Sequence, residues 1–193
     1  MLSSKNIILL IASTALLCLL TLGMLLVGPA DISAATAVKV LATHLPGVSN
    51  DNVAAVHNTI IWNIRWQRIA LAILVGSGLA IAGTCFQTIF KNPLADPFIL
   101  GVSSGAALGA AVAIILNSPE FMFPFAFAGA MISLILVYVF GSQNRVINAD
   151  HRLLLAGIAC GSLFNATLSS LMALHAQQMQ IIMFWLMGSL ANY

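Results

Sequence analysis

Few residues in this chain could do chemistry, and their positions limit what that chemistry would be. The acids are Asp31, Asp51, Asp96, Glu120 and Asp150, and each falls outside the long apolar runs. A proton relay or an ion-coupling carboxylate would sit inside such a run beside a partner, and no acid here does. Cys18, Cys85 and Cys160 are isolated from one another with no C-x-x-C spacing, so they read as small packing residues. The four His are scattered without metal-ligand spacing, and no G-x-x-x-x-G-K-[ST] phosphate loop occurs. These residues contain no catalytic constellation and no metal set, and they imply no cofactor.

What remains is binding chemistry. Arg65 and Arg68 stand three apart, which on a helix puts both guanidinium groups on one face. Such a pair can receive carboxylates bidentately. It can equally snorkel to lipid phosphates or cap nearby carbonyls. Gly161, Ser162, Asn165 and Ser169 form an uncharged polar stripe at helical spacing. That stripe suits either a water-lined path or interhelical hydrogen bonding. Thr84, Gln87 and Thr88 carry the same ambiguity, with the balance toward packing. Met179, Met183 and Met187 recur every four residues, and read as packing or as a soft surface for a bulky ligand.

The elements that must position these residues follow from composition. Charged residues make up 6% of the 193 and hydrophobic residues 61%, against about 25% and 45–50% in soluble domains. A soluble fold and a disordered chain are excluded. The net charge of +2 is too small for nucleic acid. The expected fold class is an all-α integral membrane protein, a polytopic bundle with membrane lipid as its solvent. Five spans are expected at Ile7 to Val27, Ile69 to Phe90, Ile99 to Leu116, Phe123 to Phe140 and Leu153 to Leu174. The first is too long for a signal-peptide core of about 7–15 residues, so it is expected to stay uncleaved. Ile181 to Leu190 is too short to cross and reads as an interfacial or re-entrant helix. Residues 29–64 form the longest connection, expected on the extracytoplasmic side, and residues 141–152 a polar cytoplasmic loop. With the N-terminus inside, Lys5, Lys91, Arg145 and Arg152 face inward and Lys39, Arg65 and Arg68 outward, a weak positive-inside bias. Small residues predict close helix contacts: Gly76 with Ala80, Gly78 with Ala82, and above all Gly101, Gly105 and Gly109, whose spacing stacks them on one face.

Several strings then read together. Arg65-Trp-Gln-Arg68-Ile-Ala is followed by Gly78-Leu-Ala80, Gly83 and Gln87. Lys91-Asn92-Pro93-Leu94-Ala95-Asp96-Pro97 leads into Leu100-Gly101-Val102-Ser103-Ser104-Gly105-Ala106. Later stand Leu153-Leu154-Leu155-Ala156-Gly157 and Phe184-Trp185-Leu186-Met187-Gly188-Ser189. This pattern resembles the FecCD-type permease family, the membrane subunits of ABC importers for iron-siderophores, haem and vitamin B12. The resemblance runs from about Ile7 to Tyr193, and its most specific part is the Asn92, Pro93, Leu94, Asp96, Pro97 motif with the glycines after it.

The resemblance implies a permease that works by alternating access along a dimer axis. Its partners would be a second permease copy or paralogue, a cytoplasmic ABC ATPase and a periplasmic substrate-binding protein, in the bacterial inner membrane. ATP hydrolysis would belong to another chain, so this one is not expected to be an enzyme. Arg65 and Arg68 would take the binding-protein docking role. Ser162, Asn165 and Ser169 would line the translocation pathway, since span five of such permeases faces the axis. Asp150 and His151 would mark the cytoplasmic gate, where relatives often carry small hydroxyl residues. The pattern corresponds to the first half of a ten-helix permease, so the sequence reads as a truncated single permease domain over 1–193, without the loop that grips the ATPase. A non-transporting membrane fragment or helix-packing partner is the alternative. An iron chelate is the favoured cargo only because such importers are the commonest members.

Overall fold

The computed structural model describes residues 3–44, 54–98, 100–142 and 149–190, with backbone alone for 149–151. Every regular element among the described residues is helical. In chain order these are α1 (Ser4–Leu26), α2 (Ala34–Thr43), α3 (Ala55–Asn58), a π-helical segment (Thr59–Trp66), α4 (Gln67–Ile89), α5 (Val102–Ile115), a 3-10 turn (Pro119–Phe121), α6 (Met122–Ser142), α7 (Ala149–Leu174) and α8 (Ala176–Leu186). Four stretches are long and apolar enough to cross a membrane: Ser4–Leu26, Ala55–Ile89, Pro119–Ser142 and Arg152–Leu174. The chain is a multi-pass membrane protein. Two compact units divide it, Met1–Gly76 with Leu190–Tyr193, and Ser77–Ser189.

In the first unit α1 is exposed along nearly its whole length, and only Leu25 near its end is buried. Leu25, Ile32, Ala37, Val40 and Ile61 make a small apolar core with Trp62, Trp66 and Ile69 around it. The connection over 29–64 is therefore largely ordered. Ser33 caps α2 by accepting a hydrogen bond from the Thr36 N–H at 3.2 Å. The following helix starts at Ala55, about four turns before the expected Ile69. His57, Asn58, Asn63 and Arg65 interrupt its hydropathy and disguise it in the sequence. Its middle opens into the eight-residue π segment, which changes the register of every side chain that follows.

The second unit is built around α5. At 14 residues this helix is about 21 Å long, shorter than a hydrocarbon core of about 30 Å. It need not meet lipid on all sides, because Gly105, Ala107, Ala110, Ala111, Ala113 and Ile114 are buried. The expected third span is thus present as a short, enclosed helix. Gly105 and Gly109 touch α6: a Cβ on Gly105 would lie 2.5 Å from the Gly129 carbonyl oxygen, and one on Gly109 would collide with the Phe125 carbonyl. Gly129 returns the contact from α6, abutting Gly105 and Gly109. Small residues on both helices let the backbones meet directly.

Gly101 departs from the stacked reading. It lies just before α5 in the left-handed region (φ 68°) and faces α7, with a Cβ there falling 3.0 Å from the Gly161 nitrogen and 3.2 Å from the Gly157 oxygen. Only glycine accepts that φ without strain. The expected contacts of Gly76 and Gly78 are not made either, since a Cβ on either one meets no atom within 4 Å.

Candidate functional site

The Asn92, Pro93, Leu94, Asp96, Pro97 motif builds the turn that delivers α5. Asn92 Oδ1 accepts from the Leu94 N–H at 2.9 Å, and Asp96 Oδ1 from the Phe98 N–H at 2.6 Å. Gln87 Nε2 donates to the Pro93 carbonyl at 3.1 Å and ties the turn back to α4. Pro97 packs 3.7 Å from where a Cβ of Gly83 would stand. The buried Ser133 of α6 then donates to the Gly101 carbonyl at 2.9 Å. Two prolines, two side-chain turns and one glycine thus fix where the first turn of α5 begins.

Beside that first turn lies a groove of about 500 Å³. α5 lines it with Ser103 and Ser104, preceded by Gly101, and α7 with Gly157, Gly161, Ser162 and Asn165. Phe98 and Leu186 add apolar wall. Ser162 and Asn165 are thus brought together as expected neighbours, while Ser169 lies outside the groove, exposed further along α7. Ser103 and Ser104 were not read as site residues. Their signal was the paired hydroxyls inside the Leu100 to Ala106 string, masked there by the glycines.

The hydroxyls of these helices divide into two groups. Thr84, Thr88, Thr167 and Ser170 donate to the carbonyl four residues back, at 2.8–2.9 Å. A polar group satisfied within its own helix tolerates an apolar setting. Ser162, Asn165 and Ser169 are exposed and form no hydrogen bond among the described residues. A side-chain amide left unpaired in hydrocarbon costs several kcal/mol, on the order of 4–8 by cyclohexane transfer. This edge of α7 is therefore chemically suited to water or a polar partner.

The two arginines separate. Arg65 is buried, donating from one terminal nitrogen to the Leu25 carbonyl at 2.7 Å and from the other to the Ala30 carbonyl at 2.8 Å. It closes the C-terminal end of α1, where the last carbonyls have no partner within the helix. Gly28 leaves it room, for a Cβ there would stand 2.5 Å from the guanidinium. The expected display of both guanidinium groups on one face corrects to one buried clamp and one exposed side chain, Arg68. The surrounding π segment breaks the regular 3.6-residue register on which that expectation rested. The side chains of Asp150 and His151, expected at the gate, lie outside the described residues, as do 143–148 of the 141–152 loop.

The FecCD transport family matches residues 14–193. The chain belongs to this family. Among FecCD relatives, a cobalamin import system permease of Halobacterium salinarum is 44% identical over 133 residues, 68% of this chain and 36% of that protein. An iron chelatin transport system permease of Helicobacter pylori is 40% identical over 134 residues, 68% of this chain and 40% of that protein. A solved FecCD-like structure, an inward-facing conformation of a metal-chelate type ABC transporter, superposes with TM-score 0.66 at 33% identity. It covers 91% of this chain and 54% of that one. The chain thus spans well under two thirds of the length of the relatives it matches.

Proposed function

We propose that this chain forms part of the permease of an ABC importer that moves a metal chelate, an iron-siderophore or a relative such as haem or cobalamin, by alternating access. The observation that carries the reading is the α7 edge, where Ser162, Asn165 and Ser169 are exposed and without partners among the described residues, beside a groove walled by Ser103 and Ser104. Family membership and the cargo named for the relatives support it. In this reading the protein sits in the bacterial inner membrane with its N-terminus in the cytoplasm. A separate ATPase hydrolyses ATP, a second permease copy or paralogue completes the axis, and a periplasmic binding protein delivers cargo. Asp150 and His151 stand at the cytoplasmic gate at the start of α7. Docking falls to Arg68, with Arg65 holding the adjoining backbone.

The path wall needs no charge of its own. Hydroxyl and amide groups exchange hydrogen bonds with water and cargo without trapping either, whereas a fixed charge would hold a counter-ion. The test is water access at Asn165. With Cys18, Cys85 and Cys160 replaced by Ala, Asn165→Cys in the assembled importer should react with a hydrophilic maleimide, and the rate should differ between ATP-bound and nucleotide-free states. Leu163→Cys, on the opposite side of α7, should stay unlabelled. Equal inertness at both positions would place the stripe in lipid or in a sealed interface and overturn the reading.

A further inference from the structure

We propose that the thioether face of α8, Met179, Met183 and Met187, is a contact surface for the flat conjugated or aromatic part of the chelate; this deepens the importer reading and rests on it. The three side chains are 45%, 49% and 73% exposed, so packing within this unit does not account for them. Ile182 on the same helix is fully buried, clustered with Ala107, Ala111 and Ile114 of α5 and Leu168 of α7. That anchor fixes the rotation of α8, and the methionines cannot turn inward without unpacking it.

The position of the face ties it to the groove. Leu186 lines the groove. At about 100° per residue, Ile182 lies about 40° to one side of Leu186 around the helix, and Met179, Met183 and Met187 about 20°, 60° and 100° to the other. The groove wall therefore continues from Ser162 and Asn165 across Leu186 onto the thioethers. One part offers hydrogen bonds and the next offers soft apolar contact, which matches a ligand with polar edges and a polarizable face.

Residue type decides between cargo and a fixed covering. α1 meets its exposed surroundings with Leu16, Leu17, Leu19 and Leu20, and branched side chains also serve a permanent helix contact. Unbranched methionine adapts its shape to irregular ligands and makes favourable sulfur contacts with aromatic rings.

The experiment compares uptake of haem or a ferric catecholate with uptake of ferric citrate, which has no conjugated face, in vesicles holding the assembled importer. Replacing all three by leucine (Met179→Leu, Met183→Leu, Met187→Leu) keeps volume and helix preference while removing sulfur. The ratio of conjugated to citrate uptake should fall about fivefold, with assembly and thermal unfolding as in wild type. An unchanged ratio, or wild-type uptake restricted to citrate, overturns the proposal and leaves the face to lipid or a neighbouring helix. A change in assembly or unfolding temperature with the ratio intact assigns it to packing and also overturns it. If the wild type carries none of these chelates, the importer reading itself fails.

Discussion

α1 and α5 are both nearly continuous apolar sequence, yet they occupy opposite environments. α1 has 23 residues, rich in leucine, with one buried position, and α5 has 14, rich in glycine and alanine, with six. In water, hydropathy separates core from surface. In a membrane both settings are apolar, and side-chain size separates them instead. Large branched residues face outward, while small ones permit the backbone contacts that supply packing energy. The most hydrophobic helix is thus not the most interior one.

The sharpest way to break this comparison is to add carbon to α5. Gly105→Leu should abolish the folded, monodisperse protein, because even a Cβ lies 2.5 Å from the Gly129 oxygen and 2.7 Å from Ser133 Cβ. Overpacking of a rigid core costs about 1–3 kcal/mol or more, and here the obstacle is backbone that no rotamer change can move. Leu19→Ala in α1 removes three carbons from a side chain 67% exposed and should leave elution profile and unfolding temperature near wild type. Detergent-solubilised thermal unfolding compares the two directly. A folded Gly105→Leu protein would refute the size argument.

Next in size is the end of α1. Arg65→Leu removes both donors to Leu25 and Ala30, leaving two carbonyls unpaired. The cost should be about 2–4 kcal/mol, read as a lowered unfolding temperature. Arg65→Lys should recover only part of it, since one ammonium cannot reproduce a planar fork. Full stability of Arg65→Leu would show that the clamp is incidental.

What could be read from the sequence divides along the same physical line. Apolar length, the Pro93 and Pro97 breaks and the small-residue spacing located the helices of the second unit and the contact of Gly105 and Gly109, because these depend on local composition. The Ser162 and Asn165 neighbourhood followed from helical spacing alone. Three features did not follow. The π segment shifts register without any sequence mark, so Arg65 turned inward unannounced. Gly101 has the spacing of Gly105 and Gly109, but its backbone sign depends on a turn built by Asn92 and Asp96. Ser103 and Ser104 belong to the groove only through the position of α7, which lies about fifty residues further along the chain.

Arg68 should give the smallest effect on the fold and the most informative one on function. It is exposed, three residues from a buried arginine on the same helical stretch. Docking is its proposed role, through pairing with carboxylates of the binding protein. A guanidinium stays charged at every relevant pH, so the pairing should depend on salt and not on proton concentration from the permease side. Arg68→Glu should therefore insert normally and unfold within about 0.5 kcal/mol of wild type, as surface changes usually do. Association of the binding protein should slow, by about tenfold at low ionic strength, and the deficit should shrink as salt screens charges beyond about 8–10 Å. A charge reversal on the matching carboxylate should restore the rate. If association is unaltered at low salt, Arg68 anchors the helix to lipid phosphates, and vesicles with fewer anionic headgroups would then lower the stability of wild type but not of Arg68→Glu. The two outcomes separate a residue that meets a protein from one that meets the membrane, the same distinction that side-chain size draws between α5 and α1.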